Sequence, residues 1–227
     1  MKETKTLIDY PPIEAGASNA TAPALFDANA RRSMAGVFLL TLFNCYQQGY
    51  IEVRALRAGA RPRQEWFWIP PLHGNGFSSS LPPRQALAQI VDYAVALSDK
   101  EWSVYVGVLP RGREGKAHKN DIYQAGFAYA DLDFKSVPEP DARVAVNEAG
   151  MVVHSGNGLH AYFAVRPVVT LTEETRVRFE DSLARLQEQF GADHTADVTR
   201  ILRVPGTWNW KDPQRPRPVV LERCAGK

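Results

Sequence analysis

The stretch Val152-Val153-His154-Ser155-Gly156-Asn157-Gly158-Leu159-His160-Ala161-Tyr162-Phe163 sets a glycine-bearing turn between two apolar, strand-like runs. That pattern predicts a β-hairpin over 151–165. Glycine tolerates positive φ and carries no Cβ, so backbone at such a turn approaches a bulky anion closely. Ser155 and His160 stand at either end of the turn, placed to donate hydrogen bonds to the same phosphates. Taken alone, a histidine in an apolar strand is more often a hydrogen-bonded core residue than a ligand. His154 faces the other side of the strand and is given no role.

Two acidic segments flank the turn and change its meaning. Upstream, 127–134 reads as a strand whose alternation puts Asp131 and Asp133 on one face and turns Leu132 and Phe134 to the core. Carboxylates so placed repel one another unless a cation offsets them. Hard oxygen ligands of this kind suit Mg²⁺ or Mn²⁺ shared with substrate phosphates. An Asp-x-Asp pair also arises by chance, so its weight comes from its neighbours in the chain.

Downstream stands Asp197-Val198-Thr199-Arg200-Ile201-Leu202-Arg203, then Pro205-Gly206-Thr207-Trp208-Asn209-Trp210-Lys211. Asp197 reads either as a loop acid or as a third carboxylate of a metal site. In the second reading Arg200 grips phosphate with its planar fork and Lys211 acts as a point charge. Trp208 and Trp210 read either as platforms for bases or as packing.

The remainder frames these segments. The chain has 227 residues, 44% apolar and 23% charged, the balance of a soluble globular protein with a real core. A net charge of +2 hides two basic segments. Residues 198–227 hold seven Lys or Arg against two acids, and 111–119 hold four against one. Such segments suit a polyanionic partner, though a single charge run is commonly just solvated loop. Two cysteines, Cys45 and Cys224, are too few for a zinc knuckle or a disulfide framework. The first six residues are polar with no apolar segment behind them, and the apolar run 34–46 is too short to span a bilayer. The expected location is cytoplasmic.

Residues 1–24 read as a loosely held arm and 25–227 as one catalytic domain. Helices are expected over 25–48 and 84–97, and from a Thr170 or Thr172 cap to Gln189 with Gly191 stopping the last. Strands are expected over 50–56, 65–69, 102–109, 127–134, 201–204 and 219–222, with 139–149 as a loop or edge excursion. Hairpins mixed with helices make an α+β fold, helices lying against a largely antiparallel sheet.

The order Asp-x-Asp, Ser-Gly-x-Gly-x-His, then Asp-x-x-Arg-x-x-Arg-x-Pro-Gly-Thr-x-Asn-x-Lys resembles the archaeo-eukaryotic primase superfamily. Within it the chain is most similar to the primase-polymerase domains of plasmids, phages and other mobile elements. The resemblance covers about 102–222. It implies an RRM-like antiparallel sheet with flanking helices and an N-terminal αβ unit. It further implies that Asp131, Asp133 and Asp197 hold two divalent ions, Mg²⁺ or Mn²⁺, with no zinc. His160, Ser155 and Gly158 would contact the triphosphate of the incoming nucleotide, with Arg200 and Lys211 as further phosphate ligands. Arg111 and Arg203 would meet nucleic acid. The implied activity is DNA priming or polymerisation from nucleoside triphosphates on a single-stranded DNA template and primer. No membrane is expected; a helicase module in the same chain or operon is, the chain reading as a fragment of a larger replication protein. The competing expectation is a replication-initiator domain of the same fold that grips DNA without polymerising. A rolling-circle nicking protein would need a His-x-His pair, which the sequence lacks.

Overall fold

In a computed structural model of the chain, residues 26–46, 48–69, 83–192 and 196–224 are described. The arm expected over 1–24 lies outside them. Helix α1 (Ala28–Phe43) opens on Asp27, whose Oδ1 accepts the N–H groups of Asn29 (2.7 Å) and Ala30 (2.8 Å). This is the side-chain cap that satisfies donors left free by a first turn. The helix stops five residues short of the expected end, at an Asn44 cap.

Strand β1 (Gly49–Leu56) pairs antiparallel with β2 (Arg63–Ile69), the expected hairpin. Helix α2 (Pro83–Ser98) follows, and then β3 (Ser103–Gly107), which pairs with the other edge of β1. Ile51, Val53 and Ala55 alternate into the core as their spacing predicts.

A second sheet is built around β4 (Gln124–Asp133). After it, helix α3 (Glu139–Ala145) occupies part of the segment expected as loop. Its apolar positions are few, but Ala142, Val146 and Ala149 all pack into one core cluster with Leu132 and Leu159. That spacing is helical, and it was the available signal. Strands β5 (Met151–His154) and β6 (Gly158–Thr170) form the hairpin about the glycine turn. Strand β6 runs five residues beyond the expected 165, pairing with a β4 that starts three residues early.

Helix α4 (Glu173–Gln189) begins at a capping box in which Thr175 Oγ1 accepts the Thr172 N–H (2.8 Å) and Thr172 Oγ1 accepts that of Thr175 (3.3 Å). Gly191, at φ +62°, follows its end. Strand β7 (Ile201–Arg203) pairs with β3. A short ladder of β8 (Trp208–Asn209) and β9 (Arg217–Pro218), too brief to show as periodicity, precedes β10 (Val220–Cys224).

The strand orders are β2-β1-β3-β7 and β10-β5-β6-β4, and every pairing is antiparallel. Helix α1 joins the sheets, packing on α2 at one side and on β10 at the other. Its Phe38, Leu39 and Leu42 are fully buried in a core shared by both sheets. Each such side chain contributes about 1.5–3 kcal/mol through area removed from water.

Candidate active site

Alternation along β4 and β6 decides what reaches the cleft. The odd residues of β4 carry Phe127 and Tyr129 into the shared core, then Asp131 and Asp133 beyond it; Ala130 and Leu132 pack on the opposite face toward α3. Register sets Tyr129 opposite Tyr162, Asp131 opposite His160, and Asp133 opposite Gly158. Directly opposed residues of an antiparallel pair share a face. A ladder of aromatic residues therefore becomes a ladder of polar ones where the sheet leaves the core.

That polar end forms one wall of a cleft of about 300 Å³. Asp131, Asp133, Ser155, Gly158 and His160 line it from the second sheet. The first sheet brings Tyr105 from β3 and Arg203 from β7, with Arg200 just ahead of that strand, and Lys211 reaches in beyond β8. Eight of the ten residues expected at the site thus meet in one place.

His160 is buried, and its Nε2 lies 3.5 Å from Asp131 Oδ1. Its Nδ1 has no hydrogen-bond partner. Burial pushes the imidazole down to about 4, outweighing the pull of Asp131, and Arg203 and Arg200 push the same way. His160 is thus neutral at physiological pH. For Asp131, burial works to raise the carboxyl, but His160 and Arg200 outweigh it and hold it below the usual range. With His160 neutral, the positive charge beside Asp131 at neutral pH comes from Arg200, whose Nη2 lies 2.7 Å from Asp131 Oδ2, and from Arg203 farther off.

The glycine turn is fixed from outside. Gly156 has φ +91°, and a Cβ there would lie 2.9 Å from that of Arg217. At Gly158 a Cβ would sit 2.0 Å from the Leu132 carbonyl oxygen, so only glycine lets β4 come this close. The Asn209 amide donates to the Ser155 carbonyl (2.9 Å), and Arg217 donates to that of Gly156 (2.9 Å). Neither Asn209 nor Arg217 was picked out from sequence, although Asn209 stands inside the Pro-Gly-Thr-x-Asn-x-Lys run. The Ser155 hydroxyl donates to the Gly158 carbonyl (3.1 Å) and so closes the turn it was expected to decorate.

Two expectations are corrected. Arg111 does not face nucleic acid. It is fully buried, its Nη2 2.8 Å from Glu52 Oε2, and it also donates to the carbonyls of Leu109 (3.0 Å) and Thr199 (2.9 Å). A Cβ on Gly107 would come within 2.9 Å of its guanidinium, so that glycine makes its room. Asp197 does not join the other acids. Its exposed carboxylate accepts the Thr199 N–H (2.7 Å), a local turn that aspartate favours, while its carbonyl accepts from the Tyr129 hydroxyl. Among the described residues no three His, Cys, Asp or Glu side chains are gathered to hold a metal.

The donor set therefore fits a hard divalent ion in one form. Asp131 and Asp133 supply two carboxylates on one face, and the guanidinium on Asp131 shows that this position accepts a cation. Mg²⁺ is commonly held by one or two carboxylates completed by phosphate oxygens and water. Trp208 and Trp210 take the packing alternative: Trp208 meets Phe26 edge-on, and the Trp210 indole N–H donates to the Ser98 carbonyl (2.9 Å). Tyr105, unremarked in the sequence, carries the Arg203 guanidinium 5.0 Å from its ring centre.

No protein-family model matches the sequence, and no curated protein matches it. Solved structures do. The primase RepB′ superposes with TM-score 0.56 at 15% identity over 87% of this chain, which spans only 57% of that one. The primase-polymerase domain of cyanophage S-2L gives 0.56 at 14% identity, over 86% of this chain and 91% of that one. The polymerase domain of Mycobacterium tuberculosis ligase D, solved with DNA, gives 0.42 at 14% identity over 81% and 77%. No helix among the described residues is long and apolar enough to cross a membrane. The α+β arrangement expected from hairpins mixed with helices is the one found, and the chain shares its fold with the primase RepB′ and the cyanophage primase-polymerase domain.

Proposed function

We propose that this cleft joins nucleoside triphosphates on a single-stranded DNA template, as a DNA primase, a DNA polymerase or both. One observation carries the reading: Asp131 and His160 oppose each other across β4 and β6, in a cleft that also holds Asp133 and three basic side chains, Arg200, Arg203 and Lys211. Acids that suit a divalent ion then lie beside donors that suit phosphate. The names of the two nearer structural neighbours, a primase and a primase-polymerase, support it.

Asp131 and Asp133 would hold Mg²⁺ or Mn²⁺. When bound, such ions lower the pKa of the attacking hydroxyl and neutralise the departing pyrophosphate. His160, neutral and rigidly seated, donates one N–H toward phosphate oxygen without adding charge beside Asp131. Arg200 and Lys211 offset the charge that develops as the α-phosphorus is attacked, and donors fixed in advance do so at no reorganisation cost. Arg203, stacked on Tyr105, lies on the opposite wall, where template or sugar would pass.

The replication-initiator reading has one observation in its favour, the occupation of Asp131 by Arg200. Primer extension with Mg²⁺ or Mn²⁺ separates the two. Wild type should extend, and the double variant Asp131→Ala, Asp133→Ala should lose synthesis by at least ~10³-fold while still binding DNA. Wild type that binds template but never extends would establish the initiator reading instead.

A further inference from the structure

Arg200 stands one residue ahead of β7, at the end of a turn, Asp197 to Arg200, that belongs to no strand or helix. A side chain on such a turn is only as well placed as the peptide groups that carry it. Here they are held from four directions. The Arg200 carbonyl accepts the Val108 N–H (3.0 Å), continuing the β3–β7 ladder, and the Arg200 N–H donates back to the Asp197 carbonyl (3.0 Å). From α4, Glu180 Oε1 accepts the Val198 N–H (3.4 Å). The Thr199 carbonyl accepts from Arg111 Nη2 (2.9 Å), and the Asp197 carbonyl accepts from the Tyr129 hydroxyl.

Tyr129 is 1% exposed, and burial together with Asp197 pushes its hydroxyl well up, so it stays a donor at every working pH. Packing alone does not account for that hydroxyl. Tyr162, its partner across β4 and β6, is just as buried, yet its hydroxyl has no hydrogen-bond partner among the described residues. Tyr129 also shares a face of β4 with Asp131, two residues on. One strand thus carries the acid and, through Asp197, locates the turn that brings Arg200 to within 2.7 Å of it. Arg111 pins the same turn from the other side, its own guanidinium held by Glu52 (2.8 Å).

We infer that Tyr129 and Arg111 are positioning residues that fix the Asp197–Arg200 turn and thereby hold the Arg200 guanidinium at Asp131. Neither lines the acid-bearing cleft; both act through Arg200. That Arg200 then meets a triphosphate rests on the function proposed above. That the turn is held in this way does not.

The test compares Tyr129→Phe with Tyr162→Phe, which loses an equally buried hydroxyl. Arg111→Lys joins them, keeping a charge for Glu52 but not the fork that also reaches Thr199. Amide hydrogen exchange at Arg200 reports on the turn. Tyr129→Phe and Arg111→Lys should speed it about threefold to tenfold, the worth of one hydrogen bond, while the β3–β7 amides and Tyr162→Phe stay near wild type. Titration of a non-hydrolysable nucleoside triphosphate with Mg²⁺ should show affinity lower by a similar factor. That loss should vanish when Arg200→Gln is already present, because the changes then act on one contact. Tyr129→Phe decides alone if Arg111→Lys fails to fold.

Arg200 exchange that is equal in Tyr129→Phe and Tyr162→Phe overturns the inference. So does a loss of triphosphate affinity that persists undiminished beside Arg200→Gln, since the tyrosine would then act by another route. Faster exchange with unchanged affinity also overturns it, leaving both residues purely structural. A wild type that binds no triphosphate removes the nucleotide reading, and the exchange comparison then decides by itself whether the two residues place Arg200.

Discussion

Two arginine–carboxylate pairs, Arg111–Glu52 and Arg200–Asp131, have nearly the same geometry and opposite surroundings. Their closest contacts are 2.8 Å and 2.7 Å. In the first, both side chains are 0% exposed; in the second, they are 29% and 23% exposed and line the cleft. Glu52 is further held by Arg54 and by Gln64 (2.8 Å), while Arg111 closes onto the Leu109 and Thr199 carbonyls. Nothing can enter that pair without unfolding its surroundings. Among the described residues the side chain of Asp131 is met besides Arg200 by His160, at 3.5 Å, with Arg203 acting from farther off, and Arg200 Nε has no hydrogen-bond partner. Burial thus separates a clamp between strands from an ion pair that another cation or a phosphate can exchange.

The sharpest way to break this contrast is Arg111→Met. Removing one partner of a buried pair leaves a charge without compensation, and such changes cost about 3–5 kcal/mol. Urea unfolding should show a loss of that size. A loss below about 1 kcal/mol would mean that Arg54 and Gln64 satisfy Glu52 unaided and that the clamp is redundant.

Arg111 also marks where reading the sequence stops. Its role depends on Glu52, 59 residues away, and on the room left by Gly107. A basic loop looks alike whether its arginine turns outward or inward. That Asp131 and His160 share a site was legible from the order of the motifs, and period-two alternation gave the face that Asp131 and Asp133 take. Their register across β4 and β6, which no short turn joins, was not legible. Asp197 falls between these cases. Its motif was visible, but an aspartate in a loop readily bonds the amide two residues on, and Thr199 takes its carboxylate. The β8–β9 ladder, two residues a side, had no periodicity to read, yet it brings Asn209 and Arg217 to the glycine turn.

The next test asks whether the exchangeable pair sits beside a neutral imidazole. Unfolded, His160 titrates near 6.5; folded, near 4. Between those values the unfolded chain binds the proton that the folded one refuses, so stability falls as pH drops from 6.5 to 4 and levels off below. The window is worth about 3 kcal/mol at 1.36 kcal/mol per pH unit. Asp131, held below its usual 3.8, adds its own loss only at lower pH. Urea unfolding in EDTA across this range should show wild type losing about 3 kcal/mol more than His160→Asn. Parallel profiles would mean that His160 titrates in the folded protein as it does unfolded, and that burial does not hold the imidazole neutral below pH 6.5.

The smallest effect on stability belongs to Arg200→Gln. Its pair is partly solvated, and a pair of that kind contributes about 1 kcal/mol or less. Unfolding should therefore barely register a change that at Arg111 would be severe. The consequence should appear in binding, because removing a charged contact to phosphate costs about 1.5–3 kcal/mol, near tenfold or more in affinity for a non-hydrolysable nucleoside triphosphate. Arg200→Lys keeps the charge and loses the fork, so it should recover part of that affinity. A stability loss matching that of Arg111→Met would make Arg200 a second clamp. Unchanged triphosphate affinity with unchanged stability would confine Arg200 to the company of Asp131 and leave the phosphate to the other donors of the cleft, His160, Arg203 and Lys211 among them.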